Sequence, residues 1–371
     1  MNIQNILYLF KKNLSLLLTL FLAACTAALF LSFIVFNIVY PAPTEQTTLK
    51  FHQLTNSANT KENEIVPLKL LFFGDIMLDR HVKEIMDKNK GLDYLLEQIA
   101  GVEKRFFQGN DIVMANLEGA VTANGEHYAP QNSIDFAFDK NDVARLANYN
   151  FNFFTISNNH ILDQGLQGFS ETQANLAELG FSYVGCADRK VDDCSFNIKE
   201  INDVKVGFLA YSMVYGILDE EKLLTQIKEV EKQVDLVIVN IHWGVEYEHI
   251  ARSNQKNLAH KMIDAGADAI IGHHPHVVQN LEIYNNKPIF YSLGNFIFDQ
   301  YFSNETQEGL AVGLTYESSK MQINLLPFYS EYSKVKLMTD KRKEEFLQWL
   351  RDISDVSDDF KKQIGNGKIN L

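Results

Sequence analysis

Short, almost continuously apolar runs alternate along the chain with segments in which apolar residues have a helical spacing. The runs predict buried strands at residues 68–73, 111–115, 151–156, 204–211, 234–241, 269–271 and 288–293. Helical spacing lies between them, at residues 81–99, 139–149, 166–179, 220–232 and 253–265. Because near-continuous apolar strands that alternate with helices are typical of a sheet covered on both faces, this pattern predicts an α/β fold.

The N-terminal part of the chain has a different pattern. Residues 13–44 contain no charged residue, residues 14–40 are almost wholly apolar, and Lys11 and Lys12 come directly before them. About 20 apolar residues cross a bilayer core of about 30 Å, and flanking lysines stay on the cytoplasmic side. The pattern predicts a cytoplasmic segment at 1–12 and a single transmembrane signal anchor at 13–40, with everything after it outside the cytoplasm.

A second interpretation of this segment is a lipoprotein. Residues 22–25 (Leu-Ala-Ala-Cys) look like a bacterial lipobox, in which Cys25 is lipidated and becomes the new N-terminus. The residues after Cys25 continue the apolar run, whereas a lipoprotein normally turns polar there. A run of this length favours the uncleaved anchor.

The remaining chain divides by composition. Residues 41–67 are rich in Thr, Asn, Gln and Ser and predict a flexible linker. Residues 68–330 predict one large α/β domain, in which residues 309–325 alternate as a closing hairpin does. Residues 331–371 predict a C-terminal helical extension, because residues 340–353 have amphipathic helical spacing.

Composition excludes several classes of protein. The formal net charge of −13 argues against binding to a nucleic-acid backbone, and 46% hydrophobic residues rule out a largely disordered chain. Three cysteines without a CxxC pair exclude a disulfide-dense scaffold and a structural zinc ribbon. Cys186 and Cys194 lie eight residues apart in a segment where a disulfide is permitted, and the sequence leaves their pairing open.

Six of the seven predicted strands end in side chains that bind metals or transfer protons. These residues are Asp75, Glu118, Asn159 with His160, His242, His274 with His276, and Asn295. In open α/β sheets, ligands bind beyond the carboxyl ends of the strands, so we expect these side chains to converge. A mixed set of carboxylate, amide and imidazole ligands suits Mn, Fe or Zn better than Ca or Mg. The pattern predicts a centre for one or two divalent ions.

Six motifs around these residues make the sequence recognisable. They are residues 74–80 (GDIMLDR), 115–119 (ANLEG), 157–165 (SNNHILDQG), 242–247 (HWGVEY), 272–277 (GHHPHV) and 291–296 (YSLGNF). In this order they resemble the CapA family of bacterial poly-γ-glutamate capsule biosynthesis proteins, over about residues 68–300. The resemblance implies a four-layer α/β sandwich of the calcineurin-like metallophosphoesterase type, in a protein of the bacterial cell membrane. It also implies work on poly-γ-glutamate or a similar anionic polymer, beside membrane-bound subunits of the CapB and CapC type.

The resemblance also implies roles for single residues. Asp75 and His276 match ligands of a first metal, and Glu118 matches a bridging carboxylate. Asn159 resembles the metal-binding Asn of the family's Asn-His pair, and His242 and His274 match ligands of a second metal. His160 resembles a proton donor or oxyanion stabiliser. Arg80 is predicted either to contact an anionic ligand or to form a structural ion pair. Glu246 and Asn295 are candidates for orienting the imidazoles.

Two positions depart from the phosphoesterase pattern. Glu118 stands where the bridging residue is usually Asp. A histidine usually stands two residues after the first Asp, and here that residue is Met77. Asp79, on the same strand-end turn, is a candidate to compensate. Asp163 predicts an ordinary helix N-cap, and His273 predicts a turn residue, because His274 and His276 complete the pattern without it.

Three functions follow as hypotheses. The first is a membrane-anchored capsule factor with a metal-dependent hydrolase-like site that acts on the polymer or its linkage. The second is a non-catalytic accessory subunit of a synthesis and export complex. The third is an extracytoplasmic phosphoesterase that acts on small phosphate esters.

Overall fold

The computed structural model describes residues 66–132, 134–187 and 189–371. The predicted segments 1–12 and 13–40, and most of the predicted linker 41–67, lie outside these ranges. Among the residues that are described, no helix combines the length and the apolar character needed to cross a bilayer.

The strands begin in chain order with β1 (Leu68–Ile76), β2 (Ile112–Leu117), β3 (Ala120–Thr122), β4 (Ala137–Asp139), β5 (Phe153–Thr155) and β6 (Ser182–Val184). They continue with β7 (Phe196–Ile201), β8 (Val204–Met213), β9 (Leu236–Trp243), β10 (Ala269–His273), β11 (Leu281–Tyr284) and β12 (Lys287–Phe290). The last are β13 (Asn295–Ile297), β14 (Glu308–Glu317), β15 (Lys320–Glu331), β16 (Lys334–Leu337) and β17 (Lys368–Asn370).

The α-helices lie between these strands and after them. They are α1 (Arg80–Lys88), α2 (Leu92–Ala100), α3 (Lys140–Ala144), α4 (Gly165–Glu178), α5 (Glu220–Glu231), α6 (Ser253–Asp264), α7 (Asp340–Ile353) and α8 (Asp358–Gly365). The single helix predicted at 81–99 is two helices, because the chain turns at Gly91 with a positive φ of 66°.

Two main sheets contain the strand ends that the sequence singled out. The larger sheet has the order β16-β15-β14-β1-β2-β5-β6, with β13 beside β1 and β17 beside β15. The second sheet has the order β11-β12-β10-β9-β8-β7. Strands β1, β2, β5 and β6 run parallel, as do β8, β9, β10 and β12. The carboxyl ends of each parallel set therefore meet at one edge.

Three apolar clusters show how the layers pack. One lies between the sheets and includes Phe72 of β1, Phe208 of β8 and Ile271 of β10. A second joins the outer face of the larger sheet to α1, α2 and α4, and a third joins the outer face of the second sheet to α5 and α6. The layers run helix, sheet, sheet, helix. The predicted α/β fold is confirmed.

The segment predicted as a helical extension, residues 331–371, contains strands as well as helices. β16 and β17 both pair with β15 antiparallel, and α7 and α8 lie between them in the chain. The predicted amphipathic helix at 340–353 is present as α7, with Phe346 and Leu350 buried. This segment therefore completes one end of the larger sheet.

The two cysteines of the described part form a disulfide. Cys186 and Cys194 are bonded, with their Cα atoms 5.1 Å apart. The bond closes the loop between β6 and β7, and Cys186 is fully buried. The pairing that the sequence left open is present in the structure.

Close packing at the strand ends depends on residues without a side chain. A Cβ atom on Gly74 would lie 1.7 Å from the carbonyl oxygen of Gly294, and one on Gly272 would lie 1.9 Å from that of Tyr291. Any other residue at these positions would push the neighbouring backbone away. The two glycines thus let the ends of β1 and β10, which carry Asp75 and His273, reach the same region.

Candidate metal centre

The strand ends bring two overlapping groups of potential metal ligands together. Glu118, His274 and His276 form one group, and Asp75, Glu118 and His242 form the other. In each group one ligand atom from every residue lies within 4.8 Å of the others, and all of these residues are buried. Because Glu118 belongs to both groups, it is the centre of the arrangement.

The surroundings of Glu118 fit a cation better than they fit hydrogen bonds. Its Oε1 atom is buried and has no hydrogen-bond partner among the described residues. The Nε2 atoms of His160, His242 and His276 lie 3.9, 3.8 and 3.9 Å from this oxygen, beyond hydrogen-bond distance. Two ligand atoms that are each about 2.0–2.2 Å from one ion lie about 3–4 Å apart. The donor set therefore fits a divalent ion.

The two buried carboxylates differ in their acid–base behaviour. Burial raises the pKa of Glu118 well above its usual range, and the nearby charges of Asp75 and Glu246 raise it further. Burial would also raise the pKa of Asp75, but the neighbouring imidazoles of His273 and His276 outweigh this effect and lower it. In the absence of a cation, the site therefore favours the ionised form of Asp75 and disfavours ionisation of Glu118.

The three imidazoles of the two ligand groups are neutral at physiological pH. Burial and the neighbouring imidazoles lower the pKa of His242 well below its usual value. Burial lowers the pKa of His274 to about 3 and also lowers that of His276. A histidine binds a metal as the neutral imidazole, and these histidines are already in that state.

The loop that carries two of the imidazoles has an unusual backbone. His274 has a φ of 97° and His276 has a φ of 57°, on either side of Pro275. Residues other than glycine rarely adopt this left-handed region, and such conformations cluster at functional sites. These conformations cost free energy of folding, which indicates that the loop positions the two imidazoles at the expense of stability.

Hydrogen bonds orient individual ligands. Oδ1 of Asn295 lies 2.9 Å from Nδ1 of His276, which turns Nε2 of that ring toward Glu118. Oδ1 of Asn159 lies 2.7 Å from Nε2 of His242, so the amide that follows β5 reaches across to the end of β9. The contact of Asn295 is the one expected of a residue that orients an imidazole.

Asn116 is a residue to which the sequence argument gave no role. Its Nδ2 donates to Oδ1 of Asp75 across 2.8 Å and lies 3.3 Å from Oε2 of Glu118. Its Oδ1 accepts from Nδ2 of Asn158 across 3.1 Å. Residues two apart on a strand share a face, so the position of Asn116 relative to Glu118 was a usable signal.

His160 is held at the edge of the centre by a carboxylate. Its Nδ1 lies 2.8 Å from Oδ2 of Asp163, and its ring packs on Phe136 with the centroids 4.3 Å apart. The N-cap prediction for Asp163 is wrong, because α4 has Gln164 at its N-cap. Asp163 instead fixes His160 so that Nε2 faces Glu118.

Arg80 and Asp79 lie beside the two ligand groups and not within them. Arg80 forms a bidentate ion pair with Asp299, and its guanidinium lies 5.0 Å from the ring centre of Phe136. The structural ion pair, one of the two predicted roles, is thus present. The carboxylate of Asp79 accepts from the backbone N–H groups of Arg80 and Ala137, so it does not replace the imidazole absent at Met77.

Glu246 lies close enough to the centre for its charge to raise the pKa of Glu118. It is half-buried, and no hydrogen bond joins it to an imidazole among the described residues. Its charge acts on neighbours: together with burial, it raises the pKa of Tyr247 to about 12. The ring of Tyr247 lies 6.3 Å from that of His276. The negative charge of Glu246 therefore contributes to the electrostatic potential at the centre.

The model of the family described as bacterial capsule synthesis protein PGA_cap matches residues 69–300, which include all six motifs. The chain belongs to the PGA_cap family. The predicted resemblance to CapA proteins is confirmed.

Two curated members of the family illustrate the similarity. The PGA biosynthesis protein CapA of Bacillus subtilis (strain 168) is 36% identical over 248 residues, which are 63% of this chain and 64% of that protein. The capsule biosynthesis protein CapA of Bacillus anthracis is 33% identical over 262 residues, 66% of this chain and 62% of that protein. The chain thus matches less than two thirds of the length of either relative.

Two solved structures with low sequence identity are also similar to this PGA_cap chain. A hypothetical protein from Thermus thermophilus has a TM-score of 0.47 at 16% identity, over 73% of this chain and 100% of that one. A phosphatase from Mycoplasma pneumoniae has a TM-score of 0.42 at 16% identity, over 74% of this chain and 92% of that one.

Proposed function

We propose that this PGA_cap protein is a membrane-anchored capsule biosynthesis factor whose strand-end centre holds one or two divalent ions and hydrolyses a bond in the polymer or its linkage. The observation that carries the proposal is the unpartnered Oε1 of Glu118, which faces three imidazole Nε2 atoms at 3.8–3.9 Å. The curated relatives named for PGA and capsule biosynthesis support poly-γ-glutamate as the polymer.

The ligands of the proposed ions are the residues at the strand ends: Asp75, Glu118, Asn159, His242, His274 and His276. This mixed oxygen and nitrogen set suits Mn, Fe or Zn. When bound, such an ion supplies Lewis acidity at the reacting bond. The resemblance of the sequence implies a calcineurin-like metallophosphoesterase, and we include this assignment in the proposal.

Residues of the chain supply the proton transfer. Nδ1 of His160 donates to Asp163, so Nε2 is the atom that exchanges a proton on the side of the centre. Asp163 stabilises the charged imidazole and keeps its ring in place, as the carboxylate of a catalytic triad does. His160 therefore protonates the leaving group from Nε2. Nε and Nη2 of Arg80 pair with Asp299, and the remaining N–H groups of its 35% exposed side chain donate to an anionic substrate group.

Location and partners form part of the same proposal. The main domain lies outside the cytoplasm, on an N-terminal anchor at 13–40, beside membrane-bound synthesis subunits of the CapB and CapC type. The Cys186–Cys194 disulfide supports this location, because disulfides persist in oxidising compartments. Intact-mass analysis of the membrane-extracted protein tests the anchor, and a mature chain that begins at Cys25 would contradict it.

The decisive experiment is complementation of a strain from which the gene has been deleted. His160→Ala and His276→Ala are expected to abolish capsule at an unchanged protein level, because one removes the proton donor and the other a ligand. His260→Ala is the matched control, since His260 contacts Glu282 and Tyr284 and lies outside both ligand groups. Intact capsule with both site variants would refute catalysis and favour the accessory-subunit hypothesis.

A further inference from the structure

His273 is a buried histidine that the proposed mechanism does not use. It is the last residue of β10, where it pairs in register with His242 of β9, and its exposed fraction is 2%. The prediction of a turn residue is wrong. Neither ring nitrogen makes a hydrogen bond to any described residue, and Nδ1 lies 3.3 Å from Oδ1 of Asp75.

A buried nitrogen without a partner has an energetic cost. Leaving such a group unsatisfied destabilises the fold, so the position needs an explanation. If Nδ1 carried no proton, its lone pair would face the lone pairs of the Asp75 carboxylate. The carboxylate therefore selects the tautomer with a proton on Nδ1, and a small rotation of the ring completes a hydrogen bond to Oδ1.

The two oxygens of Asp75 have different neighbours. Oδ1 accepts from Nδ2 of Asn116 across 2.8 Å and faces His273. Oδ2 accepts the backbone N–H of His274 across 3.3 Å, and Nδ1 of His276 lies 3.7 Å from it. Each oxygen thus has at least one protein donor, and His273 is the imidazole beside Oδ1.

We propose that His273 is a positioning residue of the metal centre, whose Nδ1–H holds Oδ1 of Asp75 and so fixes the orientation of this ligand carboxylate. This inference rests on the proposed metal centre. A role as a direct ligand is less consistent with the structure, because among the described residues neither ligand group includes His273. Groups that hydrogen-bond a metal-binding carboxylate set its orientation and basicity.

The test compares three substitutions in the detergent-solubilised full chain. Asn carries its amide N–H at the place of Nδ1, Gln carries it nearer the place of Nε2, and Leu has neither. Affinity for Mn²⁺ and Zn²⁺ is measured by calorimetry, and bound metal per chain by elemental analysis. We expect His273→Leu and His273→Gln to weaken binding by about 10–100-fold and His273→Asn to restore it.

Each outcome decides a separate question. Unchanged affinity in His273→Leu, or recovery with Gln and not with Asn, would overturn the role of Nδ1–H. A wild-type chain that binds neither metal would refute the metal centre itself. Thermal unfolding in a chelator controls for folding, since a merely structural histidine would lower the metal-free Tm of both the Leu and the Asn variant and leave the affinity of the folded protein unchanged.

Discussion

Nδ1 of His160 donates a hydrogen bond to Oδ2 of Asp163 across 2.8 Å, and the same oxygen accepts the backbone N–H of Phe136 across 2.9 Å. The carboxylate is therefore fixed from two sides, and it fixes the tautomer of the imidazole. The ring of Phe136 packs against the imidazole at a tilt of 37° and restricts its rotation. Nε2 of His160 is left facing Glu118.

This relationship predicts the effect of Asp163→Asn. The amide cannot stabilise a charged imidazole, and its N–H group competes with the proton on Nδ1. Since an aligned proton-transfer group contributes roughly 10²–10⁴-fold to a rate, we expect polymer processing to fall by at least about 10²-fold. The measurement is polymer yield in the complemented deletion strain, together with metal content of the purified protein, which should not change.

Asp135→Asn is the matched control for this substitution. Asp135 is a half-buried carboxylate that also pairs with a histidine, His127, across 3.1 Å, and neither residue belongs to the ligand groups. Its variant should retain capsule. Loss of metal from Asp163→Asn would contradict the assignment, because Asp163 would then act on the ligands rather than on the proton.

Glu118→Gln separates the metal site from the stability of the fold. Burial of an uncompensated carboxylate is costly, so the neutral isostere should raise the metal-free Tm by about 2–4 °C, the shift that roughly 1 kcal/mol produces in a large domain. Wild type should gain about 2.7 kcal/mol of stability at a metal concentration of 100 Kd, and the variant should gain almost none. Thermal unfolding with chelator and with Mn²⁺ measures both effects.

An equal metal-induced shift in wild type and Glu118→Gln would contradict the central position of Glu118. Asp299→Asn serves as the comparison, because Asp299 is a buried carboxylate that Arg80 already compensates. Its removal should lower the metal-free Tm and leave the metal-induced shift intact.

The long strands of the fold were predictable because each is a buried apolar run. β1, β2, β8, β9 and β10 all coincide with predicted strands. β16 and β17 were not predicted, because they have only four and three residues. β17 is also distant in the chain from β15, the strand with which it pairs. A pattern of alternating residues carries too little information over such lengths.

The candidate site was predictable where strand topology alone decides position. Side chains at the carboxyl ends of parallel strands meet at one edge of a sheet, which is why Asp75 and Glu118 could be grouped from the sequence. His242 lies at the end of β9 in the second sheet, and only the packing of the two sheets brings it to them. Asp163 could not be assigned, because an Asp just before a helix is usually a cap and only the fold brings Phe136 and His160 to it. The orientation of a loop side chain depends on tertiary contacts.

The metal-free domain should lose stability as the pH falls below about 6.5. The pKa values of His242, His274 and His276 are lowered in the folded state, so the unfolded chain binds protons that the folded chain rejects. Each such imidazole costs about 1.4 kcal/mol per pH unit between its two pKa values, and protonation of Glu118 offsets part of this loss. Chemical unfolding in a chelator between pH 7.5 and about pH 4 measures the slope.

His276→Gln should flatten this pH dependence. One of the three imidazoles is then absent, so fewer protons are taken up on unfolding. His260→Gln is the control for loss of a histidine elsewhere in the domain, because His260 contacts Glu282 and Tyr284 and lies outside both ligand groups. A wild-type stability that stays constant over this range would show that the three imidazoles are not held neutral.

The disulfide predicts a defined loss of stability on reduction. Cys186 and Cys194 are eight residues apart, and closing a loop of this size lowers the entropy of the unfolded chain by an amount worth about 2–3 kcal/mol. We therefore expect Cys186→Ser with Cys194→Ser to lower the free energy of unfolding by this amount, measured by urea unfolding. A reductant should have the same effect on wild type and no further effect on the double variant. A wild-type protein that reductant leaves equally stable would show that the bond does not form in the cell-derived protein.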